Sequence, residues 1–122
     1  MDIKVDEKNC LLECQNGRLD FTLEEETISI FQIFASEERQ GVGSSLVTRL
    51  EEFAVERRLK NVIVPVTPSK QALSFWLKMG YEYVWQEDKI LGDEILGNQD
   101  CKSIINTGSG IILLRKKIRF NL

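Results

Sequence analysis

A chain of 122 residues, 43% hydrophobic and 29% charged, holds enough apolar material for one ordinary core, so a single domain over residues 1–122 is expected. A formal net charge of −3 leaves no electrostatic footprint for nucleic acid, and no apolar run approaches the length of a membrane span. The opening MDIKVDEKN lacks the apolar stretch of a signal peptide, which makes a cytoplasmic location the default expectation.

Cysteine usage fits that compartment. Cys10 and Cys14 sit four apart on one face of a strand-like stretch, and Cys101 lies far away in a polar segment. With no histidine in the chain, no metal site is expected and no imidazole is available to activate a thiol.

In chain order, Cys10 to Gln15 reads as a strand, Asn16-Gly17 as a two-residue hairpin turn, and Arg18 to Leu23 as the returning strand, with Leu19, Phe21 and Leu23 alternating inward. The run Glu24-Glu25-Glu26 is a solvated turn, because three like charges would repel if buried. In the next strand the apolar positions change phase: Ile28 and Ile30 are even, Phe31 and Ile33 are odd, and Gln32 interrupts the even series. A β-bulge near Phe31 explains the change, and so does a central strand buried on both faces.

Gly41-Val42-Gly43 then opens a helical pattern starting near Gly43 or Ser44 and running to about Arg58, in which Leu46, Val47, Leu50, Phe53 and Ala54 share a face. A strand leading through a Gly-x-Gly turn into a helix makes an anion cradle. Glycine lets the backbone approach a phosphate closely, and the first helical N–H groups point at it with the dipole behind them. A pyrophosphate-bearing ligand is expected there. The basic residues Arg57, Arg58 and Lys60 complement the helix C-terminus, which Asn61 would close.

Val62-Ile63-Val64 is a short apolar strand reached through a helix, so it should run parallel to the Ile28 strand, with pairing ended by Pro65. Thr67 and Pro68 look like a cap and first position of a second helix whose inward face is Ala72, Phe75, Trp76 and Met79, ended by Gly80 in a left-handed conformation. Tyr81 to Trp85 reads as a strand with Tyr81 and Trp85 on the core side. Gln86 to Gly110 reads as a long polar excursion with one helical turn around Ile90 to Leu96. A last strand runs from Ile111 into Arg115, Lys116 and Lys117.

This order of elements resembles the GCN5-related N-acetyltransferase (GNAT) family. Glu38-Arg39-Gln40-Gly41-Val42-Gly43 is similar to that family's R/Q-x-x-G-x-G/A motif for acetyl-CoA, and Ala72 to Tyr81, ALSFWLKMGY, is similar to its second signature, A-x-x-x-Y-x-x-x-G-F. The likeness spans roughly residues 10 to 85, and 111 to 120 more weakly. It implies an α/β fold with a mixed central sheet, antiparallel N-terminal strands plus a parallel splayed pair, flanked by two main helices, and it favours the bulge near Phe31. It also implies an acetyl-CoA-dependent N-acetyltransferase acting on an amine by direct attack. Arg39, Gln40, Gly41, Val42, Gly43 and Ser44 would bind the pyrophosphate, and Ile33, Phe34 and Ala35 would line the pantetheine, with a strand amide near Ile33 or Phe34 for the oxyanion.

The sequence departs from the family at three places. Glu38 stands at the leading Arg/Gln position, Trp76 stands where a tyrosine acid is usual, and only nine residues precede the first hairpin, too few for the family's first strand and two helices. Tyr83, on the opposite face from Tyr81, is the candidate replacement acid. A homodimer, or the Gln86 to Gly110 segment, would have to complete the acceptor pocket. The alternative reading is a non-catalytic CoA-binding or protein-interaction module, supported by the lack of any Asp or Glu within the Ile28 to Phe34 and Val62 to Val66 strands.

Overall fold

The computed structural model describes residues 2–36, 41–97 and 110–119. They form a mixed α/β chain of seven strands and three helices, divided into two compact units: residues 1–63 with 117–122, and residues 64–116. No helix among the described residues is long and apolar enough to cross a membrane.

In the first unit, β1 (Lys4–Asp6), β2 (Leu11–Cys14), β3 (Gly17–Glu24) and β4 (Thr27–Ala35) form an antiparallel meander, and β5 (Asn61–Val66) runs parallel to β4 at Thr27↔Asn61, Ile28↔Val62 and Ser29↔Ile63. β1 was too short to register as a pattern in the sequence. A turn over residues 7–10 joins it to β2, with no helix between them. The β2–β3 hairpin closes on the pair Cys14↔Gly17, so its turn is Gln15-Asn16, one residue earlier than expected. The reason is that Gly17 is needed for space: a Cβ there would come within 2.6 Å of Val42 Cγ1 and 2.9 Å of the Phe34 carbonyl oxygen. Leu19 and Phe21 are buried as the alternation demands, but Leu23 is 39% exposed, in a shallow cleft beside Glu7, Arg57 and Leu59.

Helix α1 (Val42–Glu56) lies against β3 and β4, with Val42, Leu46, Val47, Leu50, Phe53 and Ala54 buried and the Phe53 and Phe21 rings 5.7 Å apart. The expected face is present in full, with Val42 added. The helix stops earlier than expected. Arg58 takes a left-handed conformation (φ 56°), its N–H donates to the Val55 carbonyl at 3.0 Å, and that of Leu59 donates to Ala54 at 2.9 Å. This is a Schellman closure on an arginine. The basic residues therefore lie past the last turn, where Arg57 pairs with Glu7 and Lys60 with Glu26, and Asn61 begins β5 instead of closing the helix.

In the second unit, α2 (Lys70–Lys78) is capped by Ser69, not Thr67: Ser69 is extended, and its hydroxyl accepts from the Ala72 N–H at 3.1 Å. Its buried residues are Leu73 and Trp76, with Ala72, Phe75 and Met79 of the expected face half-buried. Gly80 (φ 94°) closes the helix as expected, its N–H donating to Leu77 and that of Tyr81 to Trp76. Tyr81 is buried edge-on against Trp76, centroids 5.0 Å apart.

The strand that follows is only β6 (Glu82–Tyr83), antiparallel to β7 (Ile112–Lys117). Trp85 is 58% exposed and not on a core face, because the strand has already ended and Trp85 accepts the first hydrogen bond of a helix, from Lys89. That helix, α3 (Gln86–Gly97), replaces the first half of the expected polar excursion. It buries only Gly92 and Ile95, too narrow an apolar stripe to be read from the sequence, and is held by Asp88 accepting the Leu113 N–H at 3.1 Å.

Candidate active site

The chemistry-bearing features of the first unit gather at the end of β4 and the start of α1. The β3–β4 register runs Leu19↔Ile33 and Asp20↔Gln32, then jumps to Phe21↔Ile30, which leaves Phe31 as the extra residue of a β-bulge. The alternative of a strand buried on both faces is removed, since Phe31 is 73% and Phe34 66% exposed. Beyond the bulge, Ile33 and Ala35 are half-buried opposite Leu19 and Gly17, while Phe34 lies opposite Arg18. Ser36 ends the strand, its N–H and hydroxyl both donating to the Asn16 carbonyl, at 2.8 and 3.0 Å.

Gly41 is the N-cap of α1 with φ 69°, a left-handed conformation costly to any residue bearing a Cβ, and the space where a Cβ would stand is open. The first helical hydrogen bond runs from Ser45 N–H to the Gly41 carbonyl at 2.9 Å. The N–H groups of Val42, Gly43 and Ser44 are therefore the ones the helix itself leaves without acceptors. Gly41 has no side chain with which to cap this end, and the first turn from Val42 carries no acidic residue to oppose the positive end of the dipole. Val42 has its side chain in the core and offers only its backbone. Of the sequence candidates, Ile33, Phe34, Ala35, Gly41, Val42, Gly43 and Ser44 are thus placed on the strand and turn expected of them, while Arg39 and Gln40 lie outside the described residues.

Asp20 was missed by the sequence reading. It sits beside the bulge, its side chain 17% exposed, accepting from Arg18 Nε at 3.0 Å on one oxygen and from Gln32 Nε2 at 3.0 Å on the other. That contact holds Arg18 in its charged form, its guanidinium raised above the usual range by the hydrogen bond and charge of Asp20. The available signal was Gln32 itself, a polar residue interrupting an apolar strand, whose partner stands twelve residues earlier and becomes visible only through the register.

Tyr83 belongs to the second unit. Its hydroxyl is buried, without a hydrogen-bond partner among the described residues, and packed so closely on α3 that a Cβ at Gly92 would stand 2.1 Å from it. Burial first, then the charges of Asp93 and Asp88, push the phenol above its ordinary pKa, so it stays protonated.

Residues 8–81 match the model of the acetyltransferase (GNAT) family. No curated protein sequence matches the chain. Among solved structures, the chain is similar to the ribosomal-protein-S18-alanine N-acetyltransferase of Escherichia coli (15% identity, TM-score 0.66, 96% of this chain and 74% of that one). It is also similar to the anti-CRISPR protein AcrVA5 (19% identity, TM-score 0.59, 87% and 95%). A third similar structure is the PaiA N-acetyltransferase of Thermoplasma acidophilum, solved in complex with coenzyme A (11% identity, TM-score 0.64, 88% and 59%). At these identities the likeness is one of fold.

Proposed function

Because the chain belongs to the GNAT acetyltransferase family, we propose that it transfers an acetyl group from acetyl-CoA, the family's co-substrate, to a primary amine by direct attack. The observation that carries this is the start of α1, where Gly41 in a left-handed conformation offers no side-chain cap and the amides of Val42, Gly43 and Ser44 have no acceptor within the helix.

In this reading Val42, Gly43 and Ser44, together with Arg39, Gln40 and Gly41 of the motif, hold the pyrophosphate. Ile33, Phe34 and Ala35 line the pantetheine on β4, whose outer positions beyond Ser29 are not paired to β5. The thioester carbonyl then lies near the bulge at Phe31, where a strand amide stabilises the oxyanion. The amine, having given up its ammonium proton to water, attacks the carbonyl carbon through nitrogen; the carbon–sulfur bond breaks, the nitrogen releases one further proton to water, and the departing thiolate takes one up.

Tyr83 is the proposed donor of that proton, on one condition: its hydroxyl has no solvent access under Gly92, so α3 must lift for it to act. Tyr83→Phe is then expected to lower turnover about 10²-fold with CoA affinity unchanged. Full activity in that variant would assign the proton to water and leave Tyr83 the task of seating α3.

Calorimetric titration with CoA tests the reading as a whole, followed by thiol release from acetyl-CoA across a panel of amines. Binding and release are expected. Absence of CoA binding overturns the proposal, and binding without release from any amine leaves a CoA-binding module.

A further inference from the structure

The face of β3 and β4 turned away from α1 carries an arrangement that the anion cradle does not use. Register places Gln32, Phe34, Arg18 and Asp20 together on it, with Glu13 opposite Arg18 and the bulged Phe31 next to Gln32. The carboxylates of Glu13 and Asp20 share that face with the cations Lys4, opposite Glu13, and Arg18, and Arg18 is half exposed, so its pairing with Asp20 contributes little and remains open to competition from water or another cation. An ionised carboxylate offers about four acceptor positions; Arg18 Nε and Nη2 both meet Oδ1, at 3.0 and 2.9 Å, and Gln32 donates to Oδ2, which leaves about one position on Oδ2. Asp20 is therefore fixed in direction from two sides with acceptor capacity left over. Around it stand Phe31 and Phe34, the two most exposed aromatic side chains among the described residues. Exposed aromatic rings beside a carboxylate with a spare acceptor position form a surface complementary to a cation carried on an apolar body.

We infer that Asp20 holds the ammonium group of an amine whose carbon skeleton lies on Phe31 and Phe34. The identification of this amine as the acetyl acceptor rests on the acetyltransferase reading above, which puts the thioester at the same bulge. Asp20 acts as a substrate-positioning carboxylate, with Arg18 and Gln32 fixing its orientation. The acceptor class that follows is a primary ammonium next to an apolar or aromatic group, not a polyanion or a sugar.

The test uses phenethylammonium chloride as probe and phenethyl alcohol as its uncharged counterpart, each titrated into isotope-labelled full-length protein with and without CoA and followed through backbone amide shifts. Saturable shifts at Asp20, Gln32 and Phe34 are expected with the ammonium and about tenfold weaker binding with the alcohol, the loss that removal of one charge-assisted hydrogen bond produces. Asp20→Asn keeps the shape and should weaken ammonium binding by a similar factor while CoA affinity stays the same. Phe34→Ala, at an exposed position, should also weaken it. Equal binding of ammonium and alcohol, unchanged binding in both variants, or no shift at these amides overturns the inference. Ammonium binding that depends on Asp20 in a protein that fails to bind CoA would uphold the cation site and sink the acetyltransferase reading alone.

Discussion

Helices α1 and α2 each follow a strand in the chain, yet they begin in opposite ways. Ser69 closes α2 with its own hydroxyl, a cap whose job is finished within the unit. α1 starts on Gly41 in a left-handed conformation, a residue with no side chain to turn back onto the first amides. A cap commonly stabilises a helix by about 1 kcal/mol, so leaving one out is a cost that an anion can offset when it binds. The difference separates a helix start that serves the fold from one left open to a ligand.

Five substitutions break or sharpen this contrast. The largest effect belongs to Gly43→Asp, which puts a carboxylate in the first turn of α1; CoA binding should disappear in calorimetry while the protein stays folded. Gly17→Ala comes next. Its Cβ would collide with Val42 Cγ1 and with the Phe34 carbonyl, a backbone atom that cannot step aside, so a loss of about 1–3 kcal/mol in denaturant unfolding is expected, with weakened CoA binding as the first turn of α1 is pushed out. Ser69→Ala should cost about 1 kcal/mol and leave CoA affinity unchanged; a drop in affinity would mean that the two helix starts are not separate in role. The smallest change is a gain. Arg58→Gly relieves the left-handed strain at the end of α1 and should stabilise the protein by up to about 1 kcal/mol in thermal unfolding, with Gly80→Ala, at the matching position of α2, destabilising it.

What could be read from the sequence was what a single segment reports about itself. The buried face of α1 follows from spacing and the left-handed Gly80 from its place after an apolar helix, while the change of phase between Ile30 and Phe31 left a bulge and a strand buried on both faces open until the register decided. What escaped depends on partners elsewhere. Asp20 looks like any outward-facing polar residue of β3 until the register sets it against Gln32. Asn16-Gly17 is the better turn dipeptide, yet the turn moves back one place because Gly17 has to admit Val42 and Phe34. At the start of α2 the sequence points to Thr67 as the cap, yet the residue with the extended backbone and the capping hydroxyl is Ser69. α3 buries so little that its helical period is masked by its charges.

The extra residue at Phe31 also makes β4 a parity switch. Before it, the even positions Ile28 and Ile30 face α1; after it, the odd positions Ile33 and Ala35 share the side of Leu19, and Phe34 is turned out. Deletion of Phe31 itself would leave Ile30 opposite Phe21, Gln32 opposite Asp20 and Ile33 opposite Leu19 in an unbroken ladder, so the upper strand would keep its faces and lose only the bend. Removal of Ile33 instead would bring a neighbour of opposite facing against Leu19 and turn the polar and apolar sets of the upper strand over. Homologues of this chain should therefore tolerate loss of the residue at Phe31 far more readily than loss of the one at Ile33.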